Sequence, residues 1–190
     1  MPKDLQIINQ LRGRFEKVDY KIHNNEVIKL ELNFQGVNTI DLKLIGELTS
    51  LRVLDLSYNN ISKIEGLEKL TKLQKLDLLD NNITEIRNLD KLTMLRYLSL
   101  SYNNITKIQG LDNLINLGVL KLSYNQITTI QGLEKLTNLQ TLNLSENEIT
   151  EIKGLEKLTK LQTLRLYVNK IPKDKLTMFK FKNSKIDVYA

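Results

Sequence analysis

The stretch LRVLDLSYNNISKIEGLEKLTK, residues 51–72, returns with small changes along most of the chain, and its last full copy reads LQTLNLSENEITEIKGLEKLTK at residues 139–160. The leucines that begin the successive copies stand 22 residues apart. They are Leu51, Leu73, Leu95, Leu117, Leu139 and Leu161. A fixed period of this length is typical of stacked supersecondary units. We therefore predict one continuous elongated domain whose core lies between neighbouring repeats.

The spacing of apolar residues inside a repeat predicts an α/β architecture. Leu54 and Leu56 alternate as in a β-strand, whereas Ile61 and Ile64 are three residues apart, as in turns and short helical segments. One strand per repeat, always in the same direction, gives a parallel sheet of about seven to eight strands. The opposite side is expected to consist of turns and short 3₁₀ or α segments, and the stack is expected to curve.

Two invariant positions in the repeats indicate backbone requirements rather than binding. One is an asparagine three residues after each strand. It occurs at Asn59, Asn81, Asn103, Asn125, Asn147 and Asn169. We expect its amide to satisfy backbone groups where the chain turns inward. The other is a glycine, for example Gly66, that is replaced once by Asn88, and it predicts a left-handed turn.

The phrase Leu-x-x-Leu-x-Leu-x-x-Asn-x-Ile-x-x-Ile-x-Gly-Leu-x-x-Leu resembles the 22-residue subclass of leucine-rich repeats. It is similar to internalin-type repeats of bacterial surfaces and to phosphatase-1 regulatory-type repeats. The resemblance covers about residues 27–171 and includes five successive full matches. It implies a right-handed curved solenoid with a concave parallel sheet, and protein binding through that sheet. Compared with the phosphatase-regulating type, this chain has fewer repeats and no tryptophan.

The N-terminal segment departs from the repeat and is interpreted as a cap. Residues 1–26 are predicted to form a helix, with Asp4 as its N-cap, followed by a hairpin strand whose turn is Asn24–Asn25. The repeats then occupy residues 27–171. Their first unit is imperfect, with Gln35 where asparagine is expected.

The C-terminal segment, residues 172–190, is interpreted as the second cap. Its sequence KIDVY (185–189) alternates as a strand does. Phe179 and Phe181 are expected to cover the last leucines of the array.

The variable residues on the strand face form the predicted binding site. All six aromatic residues of the repeats fall on strand-face positions, and none occupies a core leucine or isoleucine position. Tyrosine is enriched at binding hot spots, although it also suits strands and could have been copied when repeats duplicated. The predicted partner-binding residues are Phe34, Val53, Asp55, Tyr58, Asp77, Tyr97, Tyr102, Val119, Lys121, Tyr124, Arg165 and Tyr167.

Charge argues against a nucleic-acid scaffold. The formal net charge is +6, but residues 26–169 carry 17 basic and 17 acidic groups, so the surplus lies in the two terminal segments. No basic stripe follows the array, and we expect no nucleic-acid partner.

Composition also limits catalysis, metal binding and location. The chain has no cysteine and a single histidine, His23, at the predicted hairpin turn. The face carboxylates, including Asp80, stand beside Arg52 and Lys75, so we predict no metal site, no cofactor and no enzymatic activity. No apolar run reaches the ~18 residues of a membrane span, and MPKDLQIINQ lacks a signal-peptide core. We expect a cytoplasmic monomer without membrane contact.

These observations favour a non-enzymatic scaffold that binds a protein or peptide on its concave face. One alternative is a secreted or surface adhesion or effector module like the internalins. Another is a consensus-like stable scaffold without an evolved partner, which the near-identity of repeated segments such as GLEKLT allows.

Overall fold

The structure, a computed structural model, describes residues 1–182 and 185–190, with side chains everywhere except at 180–182. The chain winds into a solenoid of about seven turns with little helix. In order along the chain, its elements are α1 (Lys3–Arg12), β1 (Asp19–His23), β2 (Glu26–Glu31), α2 (Leu42–Ile45), β3 (Val53–Asp55), β4 (Lys75–Asp77), β5 (Tyr97–Ser99), β6 (Val119–Lys121), β7 (Thr141–Asn143), β8 (Thr163–Arg165), α3 (Lys173–Lys182) and β9 (Asp187–Tyr189).

These strands form a single nine-stranded sheet in sequence order. β2 to β9 are parallel, in agreement with the predicted seven to eight strands, and β1 pairs with β2 in the antiparallel direction. The 22-residue period sets the register, so that Leu54 pairs with Leu76 and Leu76 with Leu98. All three leucines are fully buried. Stacked rows of such side chains, each worth about 1.5–3 kcal/mol when buried, make one core along the whole array.

The asparagine row is structural, as predicted. The Asn81 amide nitrogen donates to the carbonyls of Leu56 and Leu78 at 3.0 and 3.2 Å, and its oxygen accepts from the Ile61 backbone N–H at 3.0 Å. The other members of the row make the same kind of contacts between neighbouring repeats. Each amide therefore satisfies backbone groups that the inward turn leaves open.

The predicted left-handed turn is also present. Gly66 has a φ of +87° and Asn88, at the same repeat position, a φ of +59°. The Asn88 side chain donates to the Ile64 carbonyl at 2.7 Å. Asparagine thus replaces glycine here because it tolerates this conformation and gains a hydrogen bond.

The side opposite the sheet consists mainly of turns. In a representative repeat, the backbone N–H of Leu70 donates to Leu67 and that of Leu73 to Leu70, at 3.0 and 2.9 Å. α2 is the one helix that the described repeats place there. The predicted short helical segments are therefore mostly reduced to single turns.

The N-terminal segment covers the first leucines with α1, which buries Ile7, Ile8 and Leu11. The prediction that Asp4 is the helix N-cap is wrong. Pro2 occupies that position, and Asp4 lies inside α1, where its carboxylate accepts from the Val27 backbone N–H at 2.8 Å. Asp4 thereby attaches the helix to β2.

The turn between β1 and β2 is Asn24–Asn25, as expected, and both residues have positive φ, 49° and 62°. Glu47 links α1 to the next turns, because it contacts Lys69 and lies 2.9 Å from the Lys3 ammonium. These two contacts lower the pKa of Glu47 to about 2.

The C-terminal segment contains a helix, α3, that the sequence reasoning did not predict. Phe179 is half-buried and packs against the core, whereas the expected role of Phe181 lies outside the described side chains. β9, formed from part of KIDVY, extends the sheet beside β8. The division into residues 1–26, 27–171 and 172–190 stays a prediction, since one sheet runs through all three.

Candidate functional site

The candidate site is the outer face of the sheet, here called the concave face. Strand alternation places it: Leu54 points into the core, whereas its neighbours Val53 and Asp55 are half-buried on the outer side. The twelve predicted residues are all exposed or half-buried. Val53, Asp55, Asp77, Tyr97, Val119, Lys121 and Arg165 lie on strands, and Phe34, Tyr58, Tyr102, Tyr124 and Tyr167 follow the strands.

A row of residues with left-handed backbone conformation borders the face where the strands end, and we call it the rim row. Its members have φ between 52° and 59°. They are Phe34, Tyr58, Asp80, Tyr102, Tyr124, Glu146 and Val168. Because this conformation recurs at the same repeat position, neighbouring side chains leave the backbone in the same way and can stack.

Two aromatic stacks result from this geometry. The rings of Phe34 and Tyr58 are 4.1 Å apart and 7° from parallel, and those of Tyr102 and Tyr124 are 4.0 Å apart and 15° from parallel. Such pairs contribute about 0.5–1.5 kcal/mol beyond the area they bury. A hydrogen bond with Tyr124 is the main cause that raises the pKa of Tyr102 above its usual 10.0, and desolvation is the next. The stacks hold four aromatic rings in place.

A third aromatic group lies at the centre of the strands. The ammonium groups of Lys75 and Lys121 are 5.0 and 5.3 Å from the centre of the Tyr97 ring. Cation–π attraction therefore joins side chains of three successive strands. Lys75 was not among the predicted site residues, although its position beside Tyr97 in the aligned repeats could have indicated it.

Charge changes sign along the concave face. The register places Glu31, Asp55 and Asp77 beside one another on adjacent strands. The same row continues with Lys121 on β6 and Arg165 on β8. This one row is thus acidic on β2 to β4 and basic on β6 and β8.

The C-terminal segment adds to the face a residue that the sequence reasoning assigned only to the cap. Tyr189 on β9 is in register with Arg165, whose guanidinium lies 5.8 Å from its ring centre. Its ring also meets Tyr167 at 6.3 Å and 44°. The alternation in KIDVY was the signal that could have placed Tyr189 on the face.

The described part of the chain offers no group of three or more histidine, cysteine or acidic side chains able to hold a metal ion. His23 is exposed at the end of β1. Within the described residues, no helix has the length and apolar character needed to cross a membrane.

Comparison with known structures identifies similar solenoids. An internalin of Listeria monocytogenes shares 30% identity with this chain at a TM-score of 0.74, over 85% of this chain and 47% of the internalin. A leucine-rich repeat protein of Leptospira interrogans shares 26% identity at a TM-score of 0.65, over 78% of this chain and 45% of the other. The chain therefore spans less than half the length of either relative. Among proteins with curated functions, none matches it.

A family model matches the repeats of this chain. The model for leucine-rich repeats, which describes two copies per match, fits residues 49–91, 93–135 and 137–180. These three matches cover more than half of the sequence and coincide with the repeats that build the parallel sheet. The chain therefore belongs to the leucine-rich repeat family.

Proposed function

We propose that the protein is a non-enzymatic scaffold that holds a folded protein or a peptide against its concave face. The observation that carries this proposal is the placement of the aromatic residues of the repeats, all of which lie on that face. Four of them are fixed in stacks, so a partner that packs on them loses little side-chain freedom. Leucine-rich repeat proteins are commonly interaction scaffolds, which supports the same proposal.

Removal of the central tyrosines tests it. A variant with Tyr58→Ala, Tyr97→Ala, Tyr102→Ala and Tyr124→Ala is compared with wild type in affinity capture from the native cell at physiological salt. Proteins enriched by wild type are then purified and measured for direct binding. We expect the variant to lose the partner and to remain folded, because these side chains lie outside the core; its thermal midpoint should fall by several degrees, since both stacks and the cation–π contacts are lost.

A matched control separates the concave face from general surface stickiness. Met94 and Ile115 are exposed apolar residues in the turns that precede β5 and β6, at 44% and 52% exposure. The Met94→Ala, Ile115→Ala variant should capture the partner as wild type does. Equal binding by the tyrosine variant would contradict the proposal, and repeated failure of wild type to capture any protein would favour a stable scaffold without an evolved partner.

A second candidate is a secreted or surface adhesion or effector module, and the similarity to an internalin favours it. Our proposal places the protein in the cytoplasm as a monomer. Fractionation of the native gene product tests this point. Recovery from the medium or the cell surface would replace the cytoplasmic scaffold with the adhesion module.

A further inference from the structure

The rim row has an acidic residue where an aromatic ring would complete it. Phe34 and Tyr58 form one stack, Tyr102 and Tyr124 form the next, and Asp80 stands between Tyr58 and Tyr102. Asp80 is exposed and makes no ion pair with any residue that the structure describes. The row is therefore interrupted by an unpartnered carboxylate with a phenol ring on each side.

The size of this interruption follows from the stacks themselves. Neighbouring rings in the row are 4.0–4.1 Å apart. Tyr58 and Tyr102 are two repeats apart at the same position, so two ring spacings of that size predict an interval of about 8 Å between them, shorter than two strand spacings of about 9.5 Å. A planar group at van der Waals distance from both rings, roughly 3.5–4 Å from each, fills that interval. The carboxyl group of Asp80 is shorter than a phenol, so it forms the floor of the interval and leaves its outer part open.

The charged residues around this interval favour a positively charged ligand. Asp77 ends the strand that precedes Asp80, and Asp55 pairs with Asp77 in the neighbouring strand. Lys75, the cation of the same strand, is directed at Tyr97, 5.0 Å from its ring centre. A cation is favoured here both by the carboxylates and by the faces of two electron-rich rings.

We propose that the interval between Tyr58 and Tyr102 is a slot for an arginine side chain of the partner protein, stacked between the two rings and paired with the Asp80 carboxylate. The guanidinium is planar, stacks on aromatic faces and binds carboxylates through two parallel N–H donors. A lysine ammonium is compact and strongly hydrated, so it uses the rings less well. This inference rests on the proposed function and deepens it, because it states the chemistry of the contact that the partner makes.

The test uses a defined probe. Acetyl-Gly-Arg-Gly-amide is titrated into the full chain, and the ring protons of Tyr58 and Tyr102 are followed by NMR. The same peptide with citrulline, which is planar and neutral, and with lysine serves for comparison. We expect contacts from the arginine δ-methylene protons to both rings and an upfield shift of those protons. Citrulline should bind about tenfold more weakly, and lysine several-fold more weakly.

Two variants localise the effect. Asp80→Asn removes the charge, keeps the shape and suits the left-handed backbone, and it should weaken arginine binding about tenfold. Glu146→Gln is the matched control, since Glu146 is in the same row and conformation but has an aromatic ring on one side only. It should change binding less than about twofold. Unchanged binding by Asp80→Asn, equal binding of the citrulline peptide, or contacts to a single ring would overturn the slot.

The same experiment distinguishes arginine from other possible occupants of the slot. Equal affinity for the lysine peptide would overturn the arginine assignment. Ring shifts that depend on protein concentration without peptide would assign the slot to a second copy of this chain. In the capture assay, a partner that is lost by the four-tyrosine variant but kept by Asp80→Asn would refute the slot and leave the scaffold proposal standing. Loss of arginine binding in Asp80→Asn without any captured protein would leave the slot and refute the scaffold.

Discussion

Replacing Asn81 with alanine should lower the free energy of unfolding by about 3 kcal/mol, and replacing its neighbour Asn82 should leave it within about 0.5 kcal/mol. Asn81 is buried, with 6% of its surface exposed, and bridges consecutive repeats. Asn82 is exposed, and its side chain makes no hydrogen bond to the described residues. The two substitutions remove the same atoms one residue apart, so their difference isolates the contribution of the bridging amide.

The magnitude follows from which groups lose their only partner. The Ile61 backbone N–H donates to the Asn81 oxygen and to no other described acceptor, so it becomes a buried donor without a partner, at about 1–3 kcal/mol. The Leu56 carbonyl keeps the Asn59 amide as a donor, and the Leu78 carbonyl keeps the Asn103 amide. Their lost bonds therefore add only about 0.5–1 kcal/mol. The sum is close to 3 kcal/mol.

Urea denaturation followed by circular dichroism measures both variants against wild type. A lower transition midpoint at an unchanged slope would report the expected loss. The reasoning is refuted if Asn81→Ala costs less than about 1 kcal/mol, or if Asn82→Ala costs as much.

Three further outcomes are expected. Gly46→Ala should lower the free energy of unfolding by more than about 3 kcal/mol, because its new Cβ would lie 1.7 Å from the backbone carbonyl oxygen of Gly66. Gly118→Ala should be nearly neutral, because the nearest atom to its new Cβ is 3.6 Å away. Val168→Asn should stabilise the protein by about 1 kcal/mol, since Val168 is a β-branched residue at a φ of +52° with 67% exposure. The pKa of Glu47 is lowered from 4.5 to about 2 in the folded state, so its contribution to stability is complete above pH 4.5 and is lost as the pH falls toward 2. Wild type should therefore lose more stability than Glu47→Gln over that interval.

Calorimetric melting checks the two backbone predictions, and acid titration at fixed urea checks the third. Equal melting of the two glycine variants would show that the turns have room to separate. A lower melting temperature for Val168→Asn would show that the valine packs usefully against its neighbours. If stability falls equally with pH in wild type and Glu47→Gln, the exposed lysines do not stabilise the charged form of this carboxylate in solution.

The repeat sequence was sufficient to predict the sheet, the asparagine row and the left-handed turn. Each of these depends on a residue whose role is set within its own 22-residue unit or by the identical unit beside it. Leu54 determines the position of Leu76 simply because the period is constant. Placing candidate residues on the outer face needed only strand alternation.

The terminal segments and the ring geometry could not be obtained in this way. Asp4 contacts Val27, which no repeat places beside it, and α3 follows the last repeat without a neighbouring copy for comparison. Stacking between Tyr102 and Tyr124 depends on the left-handed backbone at both residues and on the distance between turns. Alignment of the repeats shows that these tyrosines are neighbours, but not that their rings are nearly parallel.

β1 runs opposite to every repeat strand and forms the N-terminal edge of the sheet. An edge strand offers unpaired backbone N–H and C=O groups. In a repeat protein, the strand most suited to pair with it is the parallel edge strand of another copy. Here that edge strand would meet a strand of reversed direction with the exposed charged residues Asp19 and Lys21. Within this chain, the hairpin therefore disfavours the parallel strand pairing at this edge that joins the repeats to one another.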